Sequence, residues 1–165
     1  MNELCIIPCG NKKIWSKHPK KQAVPADEAY IGTFHHLCKS YAHQFLQDYV
    51  ILSAKHGFLR PEDLVPGPYD VSFSMNTEEV ITSDQLSKQL YTKSLHQYER
   101  YVVLTGKKYL PILDTILEPG AALDFPLLDC QGIGYMQRKL KNAVATDEPI
   151  HGEGSKVRRK TVEST

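Results

Sequence analysis

Three segments of the sequence share a pattern that can bind an anion. In each, a short apolar run is followed by small residues and a lysine: 4–8 before Cys9-Gly10-Asn11-Lys12-Lys13, 50–52 before Ser53-Ala54-Lys55-His56-Gly57, and 101–104 before Thr105-Gly106-Lys107-Lys108. Small residues let backbone N–H groups approach a ligand closely, and lysines supply positive charge. If these runs are parallel strands that end side by side, the pattern predicts a cradle for an anion such as phosphate.

Each segment also has an ordinary explanation, because glycine often ends a strand and lysine is common on protein surfaces. The repetition of the pattern at three strand ends favours the anion cradle. We therefore predict the following substrate-binding residues at these ends: Cys9, Gly10, Asn11, Lys12, Lys13, Ser53, Gly57, Thr105, Gly106 and Lys107.

Asp70 is the first candidate for a catalytic carboxylate. It follows Tyr69 at the end of a loop, 60–75, that is stiffened by prolines. A carboxylate beside an aromatic ring suits cleavage of an N-glycosidic bond, since the acid can stabilise an oxocarbenium-like sugar or position a water while the ring stacks on the base. Lys55 and His56 are further catalytic candidates, which could bind phosphate or protonate the leaving base. An aspartate in such a loop also suits a turn, so a purely structural role stays open.

Two more side chains are candidates for substrate binding. Tyr30 lies just inside the first predicted helix, and Gln137 lies in the last one, where its amide could hydrogen-bond the edge of a base. An exposed helical glutamine needs no such partner, so this role stays open. No GxxxxGK[ST] loop is present and no GxGxxG turn follows the first strand, which argues against a P-loop NTPase or a standard dinucleotide site.

Histidines and cysteines do not have the spacing of metal ligands. The cysteines are scattered along the chain: Cys5, Cys9, Cys38 and Cys130. We expect reduced thiols, with no metal and no cofactor. Three histidines, His35, His36 and His43, lie off the apolar stripe of the first helix, and we expect them to face solvent.

Length and composition predict one globular domain. The chain has 165 residues, of which 41% are hydrophobic, and a net charge of +1. We expect a cytoplasmic protein without membrane contact, because the N-terminus lacks a signal-peptide pattern and no apolar run reaches membrane length. Residues 4–26 contain five lysines and no acid, and the last residues are also basic. Such patches attract nucleic acid, although a solvated lysine face explains them equally well.

Alternating strand and helix patterns position these candidate residues. Pro25-Ala26-Asp27-Glu28 predicts a helix start with acids in the first turn, and apolar side chains then repeat at helical spacing over 31–45. Further helices are predicted over 109–117 and 135–141. A capping box is present both at 76–79 and at 82–85, and either could begin another helix. The alternation predicts an α/β fold: a single three-layer domain with a mainly parallel sheet over 1–145. A flexible basic tail is expected over 146–165.

Two motifs resemble a known family. Residues 7–13 resemble the PCG-x-x-K opening of DUF6884-type proteins, a group of uncharacterised bacterial and phage proteins related to the YaaA peroxide-stress family. Residues 52–61, followed by 68–70, resemble the group's LSAKYGLLxP and PYD motifs, and the likeness extends over 4–141. It implies a fold similar to uracil-DNA-glycosylase-like domains, and handling of nucleotides or DNA in DNA damage or phage–host responses.

We expect an enzyme that hydrolyses an N-glycosidic bond in a nucleotide or in a flipped-out base of nucleic acid. In this hypothesis Lys12, Lys55 and Lys107 hold phosphate. Tyr69 stacks on the base and Asp70 directs a water. The alternative is a non-catalytic protein that binds nucleic acid or nucleotides, in which Tyr69 and Asp70 are turn residues.

Overall fold

The computed structural model describes residues 2–152 and a strand at 156–157. The strands are β1 (Glu3–Pro8), β2 (Val24–Pro25), β3 (Asp48–Ser53), β4 (Gly57–Leu59), β5 (Leu64–Val65), β6 (Arg100–Val103), β7 (Ala122–Asp124) and β8 (Lys156–Val157). The helices are α1 (Ala26–Ala29), α2 (Thr33–Phe45), α3 (Ser83–Thr92), α4 (Leu110–Ile116) and α5 (Ile133–Thr146), with short 3₁₀ helices at Ile14–Ser16 and Lys107–Tyr109.

In the described part of the chain, six strands form one sheet in the order β4-β3-β1-β6-β7-β8. The inner strands β3, β1, β6 and β7 are parallel, and the edge strands β4 and β8 are antiparallel to their neighbours. β2 and β5 pair separately. The α/β fold with a mainly parallel sheet that the sequence predicted is therefore confirmed.

Helices cover both faces of this sheet. Successive side chains of a strand point to opposite faces, so a fully apolar strand such as β1 needs cover on each side. Cys5 and Ile7 belong to one buried cluster, which contains side chains of α2 and α5. Leu4 and Ile6 belong to the other, which contains side chains of α3 and α4. The result is a three-layer arrangement with β1 at its centre.

The helix predicted from the apolar stripe over 31–45 begins later than expected. α1 ends at Ala29, and α2 begins only at Thr33. Between them the chain is extended, because Tyr30 pairs with Lys13 in a β-bridge and the Ile31 N–H donates to the Lys12 carbonyl at 3.0 Å. This pairing places the N-terminus of α2 beside the loop that follows β1.

His35 is buried, which contradicts the expectation that it faces solvent. It lies in the first turn of α2 and is 2% exposed. Its Nδ1 atom donates to the carbonyl oxygen of Pro8, the last residue of β1, at 2.8 Å. His36 and His43 are exposed, as expected. The stripe pattern missed His35 because it describes only helix packing, whereas this side chain contacts the end of a strand.

Of the two capping boxes in the sequence, the structure uses the one at 82–85. The Gln85 N–H donates to Thr82 Oγ1 at 3.1 Å, and the Thr82 N–H donates to Gln85 Oε1 at 2.9 Å. α3 therefore begins at Ser83. The preceding loop is held to the end of β3 by the Ile81 N–H, which donates to the Ala54 carbonyl at 2.7 Å.

Part of the predicted basic tail, 146–165, packs against the domain. The N–H of Ile150 donates to the Tyr41 hydroxyl at 2.8 Å, and the N–H of Gly152 donates to Asp124 Oδ2 at 2.6 Å. These two hydrogen bonds connect residues 150 and 152 to α2 and β7. Residues 153–155 and 158–165 of the predicted tail lie outside the described residues.

Candidate functional site

The three strand ends with the anion-binding pattern lie side by side. β3, β1 and β6 are adjacent and parallel, so their carboxyl ends meet at one edge of the sheet. From β1 the chain passes through α2 to β3 on one side, and it later returns to β6 on the other side of β1. Open α/β sheets bind their ligands at such a reversal of strand order.

A crevice of about 600 Å³ lies at this reversal. Its lysines are Lys12, which follows β1, and Lys107 and Lys108, which follow β6. The first turn of α2 forms another wall, where unpaired backbone N–H groups and the helix dipole favour an anion. We call this site the cationic crevice, and its charges and N–H groups suit a phosphate.

Several predicted substrate-binding residues line the cationic crevice: Gly10, Asn11, Lys12, Thr105, Gly106, Lys107 and Gln137. Residues that the sequence did not single out also line it, including His35, Ile133 and Met136. His35 carried a signal in its sequence, because it stands in the first turn of a helix that follows a glycine. Met136 precedes Gln137 in α5, so the predicted role of Gln137 already pointed to this helix, whereas no pattern singled out Met136 itself.

A second cavity, of about 400 Å³, opens at the same edge on the α4 side of the sheet. Val71, Phe73 and Tyr109 line it, and the rings of Phe73 and Tyr109 meet edge to face with centres 5.5 Å apart. We call it the aromatic cavity. It shares Gly10, Asn11 and Lys108 with the cationic crevice. Its apolar side chains suit a flat aromatic ring, and Ser72 and Ser74 line it beside them.

Tyr69 is held by its hydroxyl group. That hydroxyl is hydrogen-bonded to Tyr30 and, at 2.7 Å, to Ser53 Oγ. Ser53 Oγ also accepts from the N–H groups of Lys55 and His56 at 3.2 and 3.1 Å. Tyr69, Tyr30 and Ser53 therefore tie the turn after β3 to the segment before α2. None of these three side chains lines the cationic crevice or the aromatic cavity.

Lys13 is buried against the Tyr69 ring. Its side-chain nitrogen lies 4.4 Å from the centre of that ring and donates to the Asn11 carbonyl at 3.2 Å. Burial lowers the pKa of Lys13, while the charges of Cys9 and Asp70 act in the opposite direction. Burial likewise raises the pKa of the Cys9 thiol, and Lys13 opposes this. Lys13 thus supports the loop after β1 from inside the domain, whereas Lys12 faces the crevice.

The predicted catalytic residues do not meet in one cavity. Asp70 is exposed and acts electrostatically on Lys13, and the next residue, Val71, lines the aromatic cavity. Lys55 and His56 line a separate shallow pocket against the start of α3. Burial lowers the pKa of His56, and the charge of Lys55 lowers it further. Asp70 and Lys55 each adjoin in sequence a residue that lines the aromatic cavity, Val71 and Ala54 respectively.

Gly57 contacts α3 and lines neither cavity, in contrast to its predicted role in substrate binding. Its φ is +76°, a conformation that side chains disfavour. A Cβ there would lie 2.2 Å from Gln89 Oε1, the atom that accepts the Phe58 N–H at 2.8 Å. Gln89 also donates to the His56 carbonyl at 3.0 Å. The glycine is thus explained by the β3–β4 hairpin and its contact with α3.

Neither a metal site nor a membrane segment is found in the part of the chain that the structure describes. No group of three or more His, Cys, Asp or Glu side chains there is placed to hold a metal ion. No described helix has the length and apolar character needed to cross a membrane.

We predict that acid destabilises the fold through His35. Burial lowers the pKa of His35 to about 4, and Lys39 and His36 add to this effect while the bond to Pro8 opposes it. The unfolded chain therefore binds a proton that the folded chain excludes between pH 6.5 and 4. The contribution of neutral His35 to the free energy of unfolding is fully present above pH 6.5. It falls by about 3 kcal/mol as the pH is lowered to 4.

Urea unfolding at several pH values measures this loss. His35→Asn should remove it, and His18→Asn, a substitution at an exposed position, should retain it. An unchanged pH dependence in His35→Asn would show that other groups cause the acid destabilisation.

Comparison with known proteins identifies the family. The family of unknown function DUF6884 matches residues 4–142, which confirms the resemblance to this group. The uncharacterized protein YfjM of Bacillus subtilis (strain 168) is 46% identical over 144 residues, which cover 87% of this chain and 96% of that protein. No solved structure matches the chain. By the extent of the family match, the chain belongs to the DUF6884 family.

Proposed function

We propose that this protein binds a nucleoside phosphate at the carboxyl edge of its sheet and hydrolyses the N-glycosidic bond. The observation that carries this proposal is the meeting of the cationic crevice and the aromatic cavity at Gly10 and Asn11. A nucleotide has its parts in the matching order: a charged phosphate, a sugar and an aromatic base. With its two ends in the two sites, its glycosidic bond lies near Gly10.

The cationic crevice supplies the contacts that a phosphate requires. Lys12, Lys107 and Lys108 carry charge on flexible side chains, and the N-terminus of α2 adds backbone N–H groups. Gly10 lets the sugar approach the backbone, since a Cβ there would meet no atom within 4 Å and its φ of +81° disfavours a side chain. The base would then rest between the apolar walls of the aromatic cavity.

Asp70 is the residue that we assign to the chemical step. The oxygen of water bonds to the C1′ atom of the sugar as the C1′–N bond breaks, and the departing base takes up a proton. A carboxylate can orient this water and stabilise positive charge on the sugar. Because Val71 lines the aromatic cavity, Asp70 lies next to the wall against which the base would rest.

We extend the proposal to the origin and setting of the protein. From the resemblance of the strand-end motifs we propose a relationship to YaaA and to uracil-DNA-glycosylase-like domains, and with it a role in DNA damage or phage–host responses. A base flipped out of nucleic acid would bring the same chemical groups to the same edge. Cys5, Cys9, Cys38 and Cys130 are free thiols, which supports a reducing compartment such as the cytoplasm.

A non-catalytic binding protein is the second candidate function. Asp70 is exposed and lines neither cavity, and this observation favours the binding protein. The cationic crevice and the aromatic cavity would hold a nucleotide or a nucleic acid without any carboxylate over the sugar. Asp70 and Tyr69 would then be structural residues of the loop, without a role in catalysis.

Release of free base tests the proposal. The purified protein is incubated with nucleoside 5′-phosphates and with single- and double-stranded DNA that carries normal, damaged or phage-type bases. Mass spectrometry then detects free base. Release from any substrate supports the hydrolase and names its base, whereas binding without release supports the second candidate. If the protein neither binds any of these compounds nor releases base from them, both candidate functions are refuted.

Phosphate binding should depend on the lysines of the cationic crevice. We expect Lys12→Gln or Lys107→Gln to weaken nucleotide binding about 10-fold, because each removes one charge-assisted hydrogen bond. Isothermal titration with the nucleotide that binds wild-type protein measures the change. Lys20→Gln, at an exposed lysine that lines neither cavity, is the control and should leave affinity unchanged. Equal affinities in all variants would place the phosphate elsewhere.

A further inference from the structure

We propose that His35 Nε2 accepts a hydrogen bond from a sugar hydroxyl of the ligand, so that the site selects ribose over a sugar that lacks this hydroxyl. The inference rests on the proposed nucleotide binding and narrows it to ribonucleotides. It gives His35 a role in specificity that differs from the phosphate contacts of the lysines. Four features of the site support it in turn.

The hydrogen bond to Pro8 determines which ring nitrogen of His35 carries the proton. His35 Nδ1 lies 2.8 Å from the Pro8 carbonyl oxygen. A carbonyl oxygen only accepts, so Nδ1 is the donor. In the neutral ring, Nε2 then has a lone pair and can only accept.

This acceptor is buried without a partner. His35 is 2% exposed, and its Nε2 atom has no hydrogen-bond partner among the described residues. Buried acceptors are nearly always satisfied, because an unpaired one is costly. A ligand that brings an O–H group to His35 would remove this cost.

His35 belongs to the wall of the cationic crevice. It lines the crevice from the first turn of α2, together with Thr33 of the same turn and Thr105 at the end of β6. Lys12, Lys107 and Lys108 line it as well. A phosphorylated sugar can therefore contact the lysines and the histidine within one cavity.

The ring is not suited to the phosphate itself. A neutral imidazole presents the Nε2 lone pair, which repels a phosphate oxygen and attracts a hydroxyl proton. Burial keeps the ring neutral at neutral pH, because the pKa of His35 is lowered to about 4. The phosphate oxygens are thus expected to contact the lysines, and the sugar hydroxyl is expected to donate to His35 Nε2.

The test compares matched ligands and one variant. The 5′-phosphates of adenosine, guanosine, cytidine and uridine are titrated against wild-type protein beside their 2′-deoxy and 3′-deoxy counterparts. We expect loss of one hydroxyl to weaken binding about 10-fold. His35→Asn retains an N–H donor at the position of Nδ1 and removes Nε2. It should bind the ribo and deoxy forms equally, with the affinity that wild-type protein has for the deoxy form.

Each outcome separates this inference from the proposed function. Failure of every nucleotide to bind refutes the proposed function. Binding with equal affinity for ribo and deoxy forms refutes only the role of His35, as does a ribo preference that persists in His35→Asn. A change in base preference alone in this variant would show that Nε2 contacts the base, which also refutes the inference.

A spectroscopic measurement keeps the test valid if the variant does not fold. In wild-type protein labelled with ¹⁵N at histidine, the Nε2 resonance of His35 should shift when the ribonucleotide is added. It should not shift when the deoxynucleotide that lacks the critical hydroxyl is added. Identical responses to the two ligands would overturn the inference.

Discussion

Replacement of Asp70 by Asn should lower the rate of base release by about 100-fold or more while affinity for the nucleotide changes less than about twofold. Asparagine retains the shape of the side chain and removes its charge. It can no longer take a proton from water or stabilise a cationic sugar. Binding should survive, because in the proposed arrangement the phosphate contacts the lysines of the cationic crevice and the base contacts the aromatic cavity, and Asp70 lines neither.

Single-turnover rates and titration of the same preparations separate these two effects. Glu62→Gln is the matched control, since it removes an exposed acid from the same loop and should change neither quantity. Unaltered turnover in Asp70→Asn would assign the chemistry to another group. Loss of both turnover and binding would show that Asp70 has a structural role in the loop and is not specific to the chemical step.

Replacement of Gly57 by Ala should destabilise the fold by about 3 kcal/mol. The positive φ of +76° costs a side chain about 1–2 kcal/mol. The new Cβ would also displace Gln89, whose side chain bonds the Phe58 N–H and the His56 carbonyl. The loss of these bonds from the β3–β4 hairpin accounts for the remainder.

Urea unfolding of a double-mutant cycle separates the two causes. In a Gln89→Ala background the contact with Gln89 is already lost, while a new Cβ would still lie 2.6 Å from Ile81 Cδ1. Gly57→Ala should therefore cost less than in the wild-type background but more than the backbone part of about 1–2 kcal/mol. Gly120→Ala is the control, because a Cβ there would meet no atom within 4 Å and its φ is not positive, and it should change stability by less than about 0.5 kcal/mol. If Gly57→Ala lowers the free energy of unfolding equally in both backgrounds, the contact with Gln89 does not contribute to the loss.

Local pattern in the sequence predicted the elements that hold the site. Apolar runs marked β1, β3 and β6, because strands covered on both faces must be apolar throughout. The capping box at 82–85 was one of two possible starts of α3 in the sequence, because the bonds that form such a box lie within four residues, and the structure uses it. The small residues and lysines after the three strands were visible for the same reason: they are neighbours in the chain.

Tertiary structure decided which of these residues come together. The order of strands brings Lys12 and Lys107 to one crevice, and it leaves Lys55 in a different pocket. Gly57 looked like part of a ligand loop, but its neighbour in space is Gln89 of α3. No local pattern contains either fact, because both depend on contacts between residues far apart in the sequence.

His35 shows this division most clearly. Its sequence neighbours predicted a helix and placed it off the apolar stripe, which indicated solvent. The β-bridge between Lys13 and Tyr30 delays the start of α2 and sets its first turn against Pro8, so that the ring is buried with one nitrogen bonded. The sequence by itself thus determined the strands β1, β3 and β6, the helices α2 to α5 to within a few residues, and the charged residues at the strand ends. Burial, protonation and access to a ligand were decided by packing, because they depend on what surrounds a side chain in space.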